Sequence, residues 1–163
     1  MVAQPSLEPD TIALLESGCA LIVGLVTPSG SPLATRGWGL TIGVGGEPSR
    51  LLVTAADMTA LEPIDSLVGR WLAVTGCHIR TLRSMQLKGP IVSVEAPTEL
   101  DDERADRYCD AYFDAVAEVD NIPRHMMERM RARAVIALTF RFHEVYDQTP
   151  GPGAGAAVTF ALR

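Results

Sequence analysis

Apolar positions in this chain recur mostly in short runs with strand character, and only one long stretch carries a helical period. Near the start, Ile12 and Leu15 share a helical face behind Pro9, which suits a first helical turn, and Gly18 suits the stop. Residues 20–26 form an apolar run too short for a helix with its own caps and rich in strand formers. Pro28 and Gly30 punctuate a turn, and residues 33–42 read as the returning strand of a hairpin. A second turn at residues 43–48 leads to a third strand at 51–55. Asp57 is a candidate cap, but Pro63 would interrupt a helix running through it, so a short helix is predicted over 63–68, ending at Gly69.

Residues 71–79 and 81–94 read as another strand pair, the second long enough to bend, with Gly89 and Pro90 marking a bulge or kink. The clearest helix is 102–119. Ala105, Tyr108, Cys109, Tyr112, Val116 and Val119 keep its spacing, and Asp101, Asp102 and Glu103 favour the positive end of its dipole. Asn121 and Pro123 break it, Met126, Met127 and Met130 mark one more helical segment, and 134–145 is the last strand. An irregular loop follows at 147–155. Strands joined mostly by hairpins predict an antiparallel sheet closed into a barrel with helices at its edges, a mainly β (α+β) fold. No repeat or long linker divides the chain, so residues 1–163 read as a single domain.

Composition narrows the function. With 47% hydrophobic residues the chain can bury a core, and a formal charge of −6 argues against nucleic acid and against an anionic membrane surface. Cys19, Cys77 and Cys109 are far apart, form no CxxC pair and read as reduced, buried thiols. The first ten residues lack a basic leader and residues 19–26 are too short to cross a bilayer, so the expected location is cytoplasmic. There is no P-loop, no GxSxG elbow, and Gly43 to Gly46 lacks dinucleotide-binding spacing. His78, His125 and His143 stand singly, so no metal site is expected. Chemistry, if present, then comes from a bound cofactor.

Two strands carry the candidate site. On residues 33–42 one face bears Ala34, Arg36, Trp38, Leu40 and Ile42; the other bears Thr35, Gly37, Gly39 and Thr41. The glycines either bare that face for a flat ring or another backbone, or mark a bulge at a barrel corner. In the later strand Ser84, Gln86 and Lys88 point away from Arg83, Met85 and Leu87. That row either meets a heterocycle and its phosphate or is an ordinary solvated face.

The segments ATRGWGLTI (34–42), LLVTAAD (51–57) and RSMQLKG (83–89), in this order and spacing, resemble the pyridoxamine 5'-phosphate oxidase-like family of FMN-binding split barrels. The resemblance runs from about Gly18 to Gln148. It implies a split antiparallel β-barrel working as a homodimer, with FMN in a groove at the interface and a small-molecule substrate. It implies cofactor contacts from Thr35, Arg36, Gly37 and Trp38, from Thr54 near the phosphate, and from Ser84 or Gln86 beside the ring, and the polar row adds Lys88 as a candidate partner for the phosphate. It assigns no catalytic residue. One departure stands out: typical oxidases follow the third strand with a serine-arginine-lysine cluster, whereas residues 57–61 here carry no positive charge. Losing that clamp weakens the hold on a dianionic phosphate, so Arg36, Arg83 and Lys88 are the compensating candidates, or the cofactor is a deazaflavin. The residues that would bind pyridoxamine phosphate are not recognisable.

The expected function is therefore a flavin-dependent oxidoreductase on a small organic substrate. The alternatives are a non-catalytic module binding flavin, deazaflavin or haem, and a structural dimer with an empty groove. His143, the methionines, Trp71 and the 146–155 loop each read more simply as structure than as chemistry.

Overall fold

The alternation is realised in an antiparallel barrel that closes on itself. The structure is a computed structural model, and it describes residues 5–27, 29–59 and 63–159. Strands β1 (Ala20–Val26), β2 (Pro32–Thr41), β3 (Ser49–Thr54), β4 (Trp71–Cys77), β5 (Ser84–Glu95) and β6 (Val135–Phe140) run in the order β4-β1-β2-β3-β6-β5. A further β4–β5 ladder shuts the barrel, so none of the six leaves an open edge there. Leu21, Val23, Leu51, Val53, Val74, Leu87 and Leu138 fill the interior. This is the split-barrel, α+β architecture expected from the sequence.

β5 is the longest strand and belongs to two ladders on one side. Residues 85–88 pair with β7 (Glu144–Asp147) and residues from Ile91 onward pair with β6, with a register shift between Ile91 and Ser93. The single last strand expected over 134–145 is thus two strands, because the chain must step past the kink at Gly89 and Pro90. At that crossing Arg141 N–H donates to the Pro90 carbonyl (3.2 Å) and His143 N–H to that of Lys88 (2.8 Å). Gly89 is required here, since a Cβ would overlap the Arg141 carbonyl oxygen. A two-residue β8 (Ala156–Ala157) adds to β7, inside what reads as loop and tail in the sequence.

Among the described residues four helices surround the barrel: α1 (Pro9–Glu16), α2 (Ala55–Thr59), α3 (Glu99–Asp120) and α4 (Arg124–Met127). The predicted 63–68 helix is a single 3-10 turn, Ile64–Leu67. α2 was not anticipated. Asp57 lies inside it rather than capping a later helix, and the buried Met58 holds it against the core. α3 begins earlier than its apolar period shows, because Thr98 and Asp101 form a capping box ahead of the first core residue. Of the three methionines only Met127 is buried; Met126 and Met130 are exposed. Pro28, in the first predicted turn, lies outside the described residues. No described helix is long and apolar enough to cross a membrane, and no group of His, Cys, Asp or Glu among the described residues is placed to hold a metal.

Candidate functional site

β2 changes character halfway along. Its ladder with β3 slips between Gly37 and Leu40, a bulge that turns the strand under α3. Gly37 does not bare a face to a ligand: a Cβ there would lie 2.8 Å from that of Leu21 and 3.1 Å from Leu51. Gly39, at φ +152°, is closed over by Leu52 and Arg104. Gly37 thus admits the barrel's core and Gly39 admits Leu52 and the α3 side chain of Arg104, and the register shift between Gly37 and Leu40 is the bulge that the sequence left as an alternative.

Arg36 and Trp38 leave that strand on the side covered by α3. Trp38 packs edge-on to Tyr108, ring centres 6.4 Å apart, and Tyr108 stacks on Tyr112. The Arg36 guanidinium lies 4.7 Å from the Tyr112 ring centre and 5.5 Å from that of Trp38, a cation held on aromatic faces. Its Nε and one terminal nitrogen are buried without a hydrogen-bond partner among the described residues, as is Trp38 Nε1. Buried donors left unpaired are costly and uncommon, so three at one place call for an acceptor.

Two open clefts meet at Trp38. One, of about 510 Å³, is lined by Leu33, Ala34, Thr35, Arg36, Trp38, Ala56 and Asp57. Within it the Thr35 hydroxyl donates to Asp57 Oδ2 at 2.6 Å. The other, of about 540 Å³, is lined by Trp38, Thr54, Arg129, Met130, Arg131, Ala132 and Arg133. The two clefts share Trp38; the first carries the carboxylate of Asp57 and the second the guanidinium groups of Arg129, Arg131 and Arg133.

The arginine segment is held in place by its own bonds. Arg131 donates to Asp110 (2.7 Å), Glu128 (2.8 Å) and Asp106 (3.1 Å), and these carboxylates push its guanidinium above its ordinary value. Ala134 sits at φ +53°, a left-handed conformation rare for a residue with a Cβ, and its carbonyl accepts from Ala55 N–H at 3.0 Å. That bond ties the segment to the end of β3.

Thr35, Arg36 and Trp38 line one of these clefts, and Trp38 and Thr54 the other. Gly37 lies between them in sequence but faces the barrel. Ser84, Gln86 and Lys88 are elsewhere. β1 and β4 separate β2 from β5, and the outer-face row Arg36, Ile22, Thr75, Gln86 spans three strand spacings, roughly 14 Å. Ser84 donates to the Leu82 carbonyl (2.8 Å), Gln86 donates to Thr75 (2.8 Å), and Lys88 lies over the Tyr146 ring (4.5 Å). Arg83, a compensating candidate, instead donates to Thr11 on α1. His143 packs against Trp71, outside the groove. Cys19 is buried and its thiol is pushed up to about 12 by desolvation, so it is no nucleophile. Sequence reasoning missed Arg129 and Arg133 altogether.

No protein-family model matches the sequence, and no curated protein matches it. Solved structures do. Over 92% of this chain and all of the other, the chain resembles HupZ of Group A Streptococcus, with a TM-score of 0.51 at 10% identity. The fold is a split β-barrel. Further similar structures include an F420 reductase (TM-score 0.48, 14% identity, 82% of this chain and 93% of that one). Another is a pyridoxamine 5'-phosphate oxidase-related, FMN-binding protein of Nostoc punctiforme PCC 73102 (TM-score 0.44, 14% identity, 91% and 88%). At 10% identity the likeness to the streptococcal protein is one of fold alone.

Proposed function

We propose that the groove along β2 holds a flavin-type cofactor, FMN or a deazaflavin, and that the protein is a flavin-dependent oxidoreductase acting on a small organic substrate. The observation that carries this reading is the cluster of unpaired buried donors on Arg36 and Trp38, set among stacked aromatic rings beside a groove. A flavin's ring edge carries carbonyl and nitrogen acceptors that suit those donors, and its plane suits the aromatic wall. FMN and F420, named for two of the similar structures, are consistent with it. When bound, such a group supplies hydride or electron transfer; the chain's own residues orient it and exclude water. Arg36 and Trp38 would donate to the ring edge, while Thr35 and Asp57 border the cleft where a substrate approaches.

The same reading includes a homodimer. Ile22, Val26 and Trp71 are exposed on the outer face of β1 and β4, and the small residues Gly24, Ala34 and Ala73 share one row between them. A second copy covering this face about a two-fold axis between β1 and β4 would set β2 of one copy against β5 of the other. Ser84, Gln86 and Lys88 of one copy would then border the groove of its neighbour, which accounts for their distance from Arg36 within one chain.

The groove holds no histidine or cysteine among its described lining residues, which favours a second reading: a non-catalytic module that carries or senses its ligand. One experiment addresses both. Purified protein is titrated with FMN and F420 while the visible spectrum is followed, and the complex is then offered chemical and nicotinamide reductants. Tight binding with turnover supports the oxidoreductase, and tight binding without turnover the carrier. No spectral change at saturating concentrations of either compound rejects both.

A further inference from the structure

The positive charge missing after β3 is present in the cleft that Thr54 and Trp38 share with residues 129–133. We infer that the segment from Arg129 to Arg133 is an anion clamp, in which Arg129 and Arg133, with the hydroxyl of Thr54, take the phosphate of a planar ligand lying against Trp38. The inference rests on the reading that the groove holds a phosphorylated ring, and it adds which residues grip the phosphate and which way round the ligand lies.

Three observations support it. Arg129 and Arg133 are exposed, line the same cleft as Thr54, and make no ion pair among the described residues. Arg131, between them, is fully engaged with Asp106, Asp110 and Glu128. One arginine thus anchors the segment to α3, leaving two flanking guanidinium groups whose charge no carboxylate in the described chain offsets. The anchoring is reinforced by the Ala134 carbonyl, which fixes the end of the segment to Ala55, next to Thr54. A clamp held by its own scaffold loses little further freedom when an anion arrives.

The groove's polarity then sets the orientation. Asp57 lies in the other cleft at Trp38, so a dianion placed there meets a like charge, whereas at Arg129 and Arg133 it meets two opposite ones. The ring therefore lies toward Thr35 and Arg36 and the phosphate toward β6. In a chain of net charge −6 such a locally basic recess also selects anions against the field of the whole molecule.

The test compares FMN with riboflavin, which lacks the phosphate, on the wild-type chain and on the R129Q/R133Q double variant. Both positions are exposed, and unchanged circular dichroism and melting temperature serve as the folding check. Wild type is expected to prefer FMN by roughly thirtyfold, from the worth of charge-assisted hydrogen bonds, and that ratio is expected to fall to about one in the variant. A preference that survives in R129Q/R133Q, or no preference in wild type, overturns the clamp. Inorganic pyrophosphate, measured by calorimetry, separates the clamp from the flavin reading. If neither flavin binds but pyrophosphate binds wild type and not R129Q/R133Q, the clamp stands and the flavin reading fails. If wild type binds none of the three, both fail.

Discussion

Asp101 is a buried carboxylate that ties the start of α3 to β3. Its side chain accepts from the Thr98 backbone N–H (2.8 Å) and from Nε and Nη2 of Arg50, at 2.8 and 2.7 Å, although it is only 3% exposed. The Arg50 guanidinium beside it holds its carboxyl well below the usual carboxylate range. In the unfolded chain the same group titrates near pH 4. Because the folded value is the lower one, its contribution is complete above about pH 4 and fades as pH falls toward the folded value. Asp101→Asn is expected to cost about 2 kcal/mol at pH 7, since Arg50 keeps Glu95 as a partner. Denaturant unfolding at several pH values should show that difference shrinking below about pH 4. Arg36, Trp38 and Thr54 were legible from the sequence because they sit on strands whose order resembles a known pattern. Arg129 and Arg133 were not, because in a chain whose positive charge is nearly all arginine, nothing local distinguishes an unpaired one. Gly37 and Gly39 show the same limit from the other side: a gap in the side-chain pattern reads alike whether a ligand or the protein's own core fills it.

At the scale of elements, what the pattern revealed depended on length. β1 and the body of α3 follow their periods and lie where the sequence puts them. α2 has five residues, too few for a period to register, and only the burial of Met58 and its junction with β3 make it a helix. The break between β6 and β7 was hidden because both halves are apolar; the crossing at Gly89 decides it. Gly89→Ala is expected to destabilise by about 2 kcal/mol or more, because the added methyl meets backbone that a flexible side chain cannot relieve. Gly153→Ala, where a Cβ meets nothing within 4 Å, is the matched control and should leave the melting temperature within about a degree. Equal melting temperatures for the two variants would show that the crossing is looser than described.

At the scale of the molecule, the closed barrel and its peripheral helices were legible from the hairpin order, while the position of β5 relative to β2 was not. Strand order around a barrel is set by which edges remain to pair, and no side-chain pattern records it. The exposed face of β1 and β4 belongs to this scale too. Trp71→Arg is expected to turn a dimer into a monomer of intact fold, read by light scattering at micromolar concentration, because a charge placed in an isologous apolar patch is repeated on both sides of the axis. A wild-type protein that is monomeric throughout would remove the dimer from the proposed function.

The β3–β6 ladder joins residues 49–54 to residues 135–140, and this sets when the barrel can shut. During synthesis, a chain that has emerged only as far as α3 can pair β4, β1, β2 and β3 and can lay β5 beside β4, yet it has nothing to place between β3 and β5. Both of those strands then expose unpaired backbone, the condition under which nascent chains associate with one another. The step most exposed to aggregation is therefore the wait for β6: a chaperone at that point would protect the whole molecule, whereas a slow pause would prolong the exposure.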